Sequence, residues 1–195
     1  MEYTKQLSGR NILENGVLFS LMAALAELPN RFESAEEDGV FTRSPVVGKY
    51  FTNEQRSVLD AVQMQLFPDD GNGPSARDLR ALSYLEWVIT DPVNVDDGDP
   101  KFIGKGIESL THVSQTDHGV GFVELTPELQ NKVLERITQS KFGKNWLSLL
   151  MYYLTEALML DPYYRANPDM IGWMWLEHRP GFPRPVEGKT YRDFE

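Results

Sequence analysis

The chain has 195 residues, a formal net charge of -10 and no cysteine. That length fits one ordinary domain, or a compact domain with trailing arms, and 41% hydrophobic residues are enough for a true core. The charge opposes a nucleic-acid surface, which needs clustered Lys and Arg, and the missing cysteines remove disulfides, thiolate nucleophiles, zinc–thiolate sites and cysteine-ligated iron–sulfur clusters.

Residues 1–49 read as an arm. Its apolar run, residues 16–28 (GVLFSLMAALAEL), falls short of the about eighteen residues that span a bilayer, so no stable membrane insertion is expected. Ahead of it, Ser8-Gly9-Arg10-Asn11-Ile12-Leu13 resembles a twin-arginine export signal whose first arginine is glycine, and Ala24-Leu25-Ala26 offers a small-x-small cleavage site. Val17, Leu18, Leu21, Met22 and Leu25 also fall at helical spacing, as in a retained amphipathic helix over residues 11–28. The degenerate signal favours a cytoplasmic protein, with the periplasm as the alternative. Residues 31–49, with Glu33, Glu36, Glu37, Asp38, Gly39 and Pro45, read as a linker.

Residues 50–195 read as the folded domain. Thr52-Asn53-Glu54-Gln55 is a capping box, followed by the helical stripe Val58, Leu59, Val62 and Leu66. Pro68 and Asp69-Asp70-Gly71-Asn72-Gly73-Pro74 stop this helix. A second helix is expected over residues 75–90, carrying Leu79, Leu82, Leu85 and Ile89, then an acidic loop through Asp96, Asp97 and Asp99. A third, weaker helix carries Ile103, Ile107 and Leu110. A fourth starts at Thr126-Pro127, an N-cap with proline at the first helical position, and presents Leu129, Val133, Leu134 and Ile137. The fifth, over residues 144–160, is apolar almost all round, so it is central to a bundle or pressed between the bundle and another chain. Its polar members Thr155 and Glu156 then need partners. No strand-like alternation persists. The pattern predicts an all-α compact helical bundle with an irregular, proline-rich and aromatic C-terminal tail.

Little in the chain suggests a reaction centre. His112 and His118 stand six apart, which suits no helical or strand metal pair. Asp69-Asp70-Gly71-Asn72 and Asp96-Asp97-Gly98-Asp99 lack calcium-loop spacing, and Gly119-Val120-Gly121 lacks the remainder of a dinucleotide fingerprint. Glu156 admits two readings: an acid–base carboxyl with a raised pKa, or a structural group that caps a turn or pairs with Arg165. The tail residues Tyr163, Tyr164, Trp173, Trp175 and Phe182 are of the kind that anchors interfaces; they also suit closing the domain's own core.

The order of motifs resembles the gluconate 2-dehydrogenase subunit 3 family. The resemblance is carried by Phe51-Thr52-Asn53-Glu54-Gln55, Phe67-Pro68-Asp69-Asp70-Gly71, Phe122-Val123-Glu124-Leu125, Leu154-Thr155-Glu156, Asp161-Pro162-Tyr163-Tyr164-Arg165-Ala166-Asn167 and Ile171-Gly172-Trp173. Two glycines of that family's pattern are Arg165-Ala166 here, so the turn either takes a different backbone or never required glycine. The ending from Trp173 to Pro183 looks closer to small subunits of glucoside 3-dehydrogenase complexes.

The resemblance implies a small subunit, catalytically silent and without a cofactor of its own. Its expected partner is a large flavoprotein of the glucose–methanol–choline type, which holds FAD and the catalytic base and often passes electrons to a cytochrome. The partner surface is expected at Tyr163, Tyr164, Asn167, Trp173, Trp175 and Phe182. Two alternatives remain: a helical adaptor without a redox partner, and a stand-alone enzyme using Glu156, His178 and neighbouring tyrosines.

Overall fold

The computed structural model describes residues 50–182 and 184–186; the arm expected over residues 1–49, with its signal-like helix and linker, lies outside them. Among the described residues the regular elements are helical throughout. They are α1 (Asn53–Leu66), α2 (Ala81–Val88), α3 (Pro92–Asp96), α4 (Asp99–His118), α5 (Pro127–Ile137), α6 (Lys141–Met159) and α7 (Ile171–Trp175). Single 3-10 turns stand at Phe122–Glu124, Pro162–Tyr164 and Pro168–Met170.

Local chemistry sets the boundaries. The capping box at Thr52 forms as expected, with the Gln55 amide donating to Thr52 Oγ1 and the Thr52 amide to Gln55 Oε1. The second helix starts later than residue 75. The Ser75 amide and hydroxyl both donate to Asp78 Oδ2, which folds residues 75–80 into a turn, and Arg80 in the left-handed region (φ 56°) bars helix before Ala81. The acidic stretch is not a plain loop either: Asp91 caps the short α3 by accepting from the Val93 amide. The helix read as weak is the longest among the described residues, at 20 residues. Left-handed Gly98 and Gly119 bracket it, and nothing between them breaks a helix.

The central position of α6 follows from its composition. Trp146, Leu147, Leu149, Leu150, Tyr153, Leu154, Ala157 and Leu158 are all buried, and α1, α2, α4 and α7 pack around them. The helix begins at Lys141, where the Ser140 hydroxyl accepts from the Gly143 amide. A narrow polar edge survives: Thr155 is exposed and bonds back to the Met151 carbonyl. At the other end Trp146 is buried against α4, its indole N–H donating to the Ile103 carbonyl at 3.2 Å.

That approach requires glycine. A Cβ on Gly106 would overlap the Trp146 ring, whereas one on Gly104 would meet nothing within 4 Å. Gly106→Ala should therefore lower stability by about 1–3 kcal/mol, while Gly104→Ala on the same helix should raise it by roughly 0.5–1 kcal/mol through helix propensity. Denaturant melts of both variants check the opposite signs.

Candidate functional site at the end of the central helix

The carbonyls of a helix's last turn have no intrahelical donors and need others. At the end of α6 those donors are side chains from the segment that follows. Trp173 Nε1 donates to the Met159 carbonyl at 2.6 Å, and Asn167 Nδ2 donates to the Leu160 carbonyl at 3.0 Å. Asn167 Oδ1 accepts from the Gly172 amide at 2.7 Å, and the Asn167 amide reaches the Leu79 carbonyl at 3.1 Å. One asparagine thus joins α6, the turn before α2 and the start of α7. It sits at φ 50°, which Asn tolerates better than most residues. Gly172 lies so close to the Leu158 carbonyl that a Cβ there would overlap it.

The expected interface residues therefore divide. Asn167 is fully buried and Trp173 is 5% exposed; their polar atoms are used within the chain. Tyr164 is half-buried against the core, between Trp87 at 6.0 Å and Tyr163 at 5.5 Å. Trp175 meets Phe67 edge-on at 5.9 Å and covers Gly73, where no side chain would fit. Tyr163 and Phe182 face solvent, Phe182 at 89%. Over residues 161–176 the tail closes the domain's own core, packing on the helical body with Ala166 and Trp173 buried. Arg184 then folds back over the Trp173 ring, 5.4 Å from its centroid, and pairs with Asp161 at 2.8 Å.

Sequence patterning did not point to the methionines. Met159, Met170 and Met174 are exposed around this end, Met174 at 65%, together with Leu176. Their intervals of eleven and four residues match a helical period, but Pro162 and Pro168 interrupt the stretch, so it does not read as one helix face. Arg165 answers the question posed by its glycine-rich counterpart. Its φ is 71° and its ψ 5°, so here an arginine occupies backbone that favours glycine.

The titratable groups of the interior pair within the chain. Glu156 accepts from the Tyr84 hydroxyl at 2.7 Å, in place of the expected Arg165. Asp99, at the start of α4 where the helix dipole favours a carboxylate, accepts from the buried Tyr153 hydroxyl. Arg56 and Glu86 form a two-pronged ion pair at 2.7 and 3.2 Å. His178 meets Trp173 edge-on, ring centroids 5.5 Å apart; His112 and His118 lie along α4. Among the described residues no group of three His, Cys, Asp or Glu could hold a metal ion. Gly119 ends α4 and Gly121 precedes a 3-10 turn. That segment is not the strand–turn–helix that cradles a dinucleotide such as FAD.

Fold and site together define a small helical protein whose central helix ends in a locked, partly apolar surface. The family model for gluconate 2-dehydrogenase subunit 3 matches residues 53–181, and the chain belongs to this family. No curated protein and no solved structure matches it significantly. No described helix is long and apolar enough to cross a membrane.

Burial, then the nearby Glu156 carboxylate, pushes the Tyr84 phenol far above its ordinary value of 10.0. Above that value the unfolded chain releases this proton and the native protein keeps it. Stability therefore falls as pH rises, by up to about 1.4 kcal/mol per pH unit from this group. Tyr84→Phe should flatten the alkaline fall while lowering stability near neutrality by roughly 1 kcal/mol, the worth of one hydrogen bond. Denaturant melts of both proteins across pH 7 to about 12 check the crossing trends. Asn167→Ala removes two side-chain bonds from buried groups and should lower stability by about 2–4 kcal/mol, read in the same melts.

Proposed function

We propose that this chain is a non-catalytic subunit that binds and stabilises, or matures, an FAD-containing large subunit of a sugar or sugar-acid dehydrogenase complex. The partner is of the glucose–methanol–choline type, its substrate a glucoside or gluconate, and a cytochrome takes the electrons onward. Family membership supplies the complex. The observation that carries the docking surface is the state of residues 159–182. Their backbone is fastened to the bundle by Asn167 and Trp173, yet Met159, Tyr163, Met170, Met174, Leu176 and Phe182 face solvent.

A segment held this firmly would ordinarily turn such side chains inward, and apolar surface left outside marks an interaction site. Methionine suits that role because its flexible thioether adapts to a partner's contour. The buried Trp173 holds the surface in shape; the exposed side chains make the contact.

Co-expression with the flavoprotein whose gene lies nearest, followed by pull-down and a flavin absorbance scan, tests this. Met174→Asp should keep the melting temperature of the isolated chain and weaken capture of the flavoprotein by at least about tenfold, or 1.4 kcal/mol. Trp173→Ala should instead lower stability by about 3–5 kcal/mol. Failure of the wild-type chain to retain any flavoprotein would overturn the reading.

A further inference from the structure

Two exposed arginines occupy backbone that suits glycine: Arg80 at φ 56° and Arg165 at φ 71°. The turns that carry them are joined directly, because the Asn167 amide donates to the Leu79 carbonyl at 3.1 Å. Left-handed backbone strains any residue with a Cβ, and strain of this kind persists where something else over-determines it. Nothing internal accounts for the choice of arginine. Asn167, also left-handed, has side-chain bonds that explain it, whereas Asp169, Met170 and Glu177 share the left-handed backbone without such bonds and without a guanidinium. For Arg80 and Arg165, no side-chain hydrogen bond or ion pair forms among the described residues. Arg56, Arg77, Arg136 and Arg184, by contrast, each hold a carboxylate.

Arg179 also stands without an acid among the described residues, but only Arg80 and Arg165 add left-handed backbone on two joined turns, in a chain of net charge -10 where carboxylates outnumber bases. Each presents a planar fork suited to a carboxylate. Their turns adjoin the segment that exposes Tyr163 and Met170, so the positive pair borders the apolar surface.

We infer that Arg80 and Arg165 form a two-arginine clamp that takes an acidic segment of the large subunit and sets the register in which it docks. This rests on the proposed docking of that subunit. Apolar contact at Met174 and Leu176 holds the partner, and the clamp recognises it, since charge pairs at an interface rim govern specificity and association more than bulk affinity.

The test replaces each arginine with the residue its backbone prefers. Arg80→Gly and Arg165→Gly relieve strain, so the isolated chain should melt at the same temperature or about 2–4 °C higher. The double variant should nonetheless bind the large subunit roughly tenfold more weakly at low salt, with the difference shrinking as salt screens it. Arg165→Asn, which tolerates left-handed backbone, repeats the test should a glycine variant fold poorly. Unchanged affinity in the double variant, beside loss of binding in Met174→Asp, would overturn the clamp and leave the docking surface standing. Loss of neither would overturn both. Binding of inorganic phosphate that depends on the two arginines, with the complex unaffected, would make this a small-anion site and also overturn the clamp.

Discussion

The carbonyl end of α6 is the constraint on which the rest of the molecule depends. A helix buried on nearly every side cannot send its last carbonyls to water, and unpaired they would cost several kcal/mol. Asn167 and Trp173 supply donors from beyond the helix, across distances of 3.0 and 2.6 Å. The turn that follows α6, through residue 173, is shaped by that demand. The chain must double back within a few residues, which forces Arg165, Asn167, Asp169 and Met170 into left-handed backbone. Gly172 must lie against the Leu158 carbonyl so that Trp173 can reach its neighbour. The strain of the loop is the consequence of satisfying the helix.

This arrangement divides the aromatic tail into an inward and an outward set. Asn167, Trp173 and Ala166 close the bundle, while Met170, Met174, Leu176 and Phe182 project from the same short stretch into solvent. A rigid backbone under adaptable side chains is a sound basis for a docking surface, because little conformational freedom remains to be lost on binding. The interior carboxylates serve the same economy of structure. Glu156, Asp99 and Glu86 each hold a neighbouring phenol or guanidinium, and Asp99 and Glu86 are buried with those partners.

Much of the fold was legible in the residues. The capping box at Thr52, the Thr126-Pro127 helix start and the apolar run of α6 are local signals with local causes, and all three reappear in the structure. The gluconate 2-dehydrogenase subunit 3 resemblance likewise rests on short motifs, and the family match spans residues 53–181. What misled was context. Residues 75–80 have an apolar rhythm that reads as helix, but the Ser75–Asp78 bonds outcompete it. The extent of α4 was hidden by its polar exposed face, and its limits lie in two left-handed glycines rather than in periodicity.

The candidate site was only half legible for a related reason. Sequence marks Trp173 and Met174 alike as large apolar neighbours, and only the geometry of the turn sends one inward and the other out. Arg165 posed a choice that sequence leaves open, and only the backbone angle shows that the arginine sits in a conformation suited to glycine.

The central claim is that the locked segment after α6 is where the large subunit sits. Amide hydrogen exchange of the chain, free and in complex with its flavoprotein, tests this most directly. The account predicts that exchange slows on binding at residues 159–182 and at the adjoining turn around Arg80, while α5 and the outer face of α4 keep their rates. Protection confined to α4 and α5, with residues 159–182 unchanged in the complex, would contradict it.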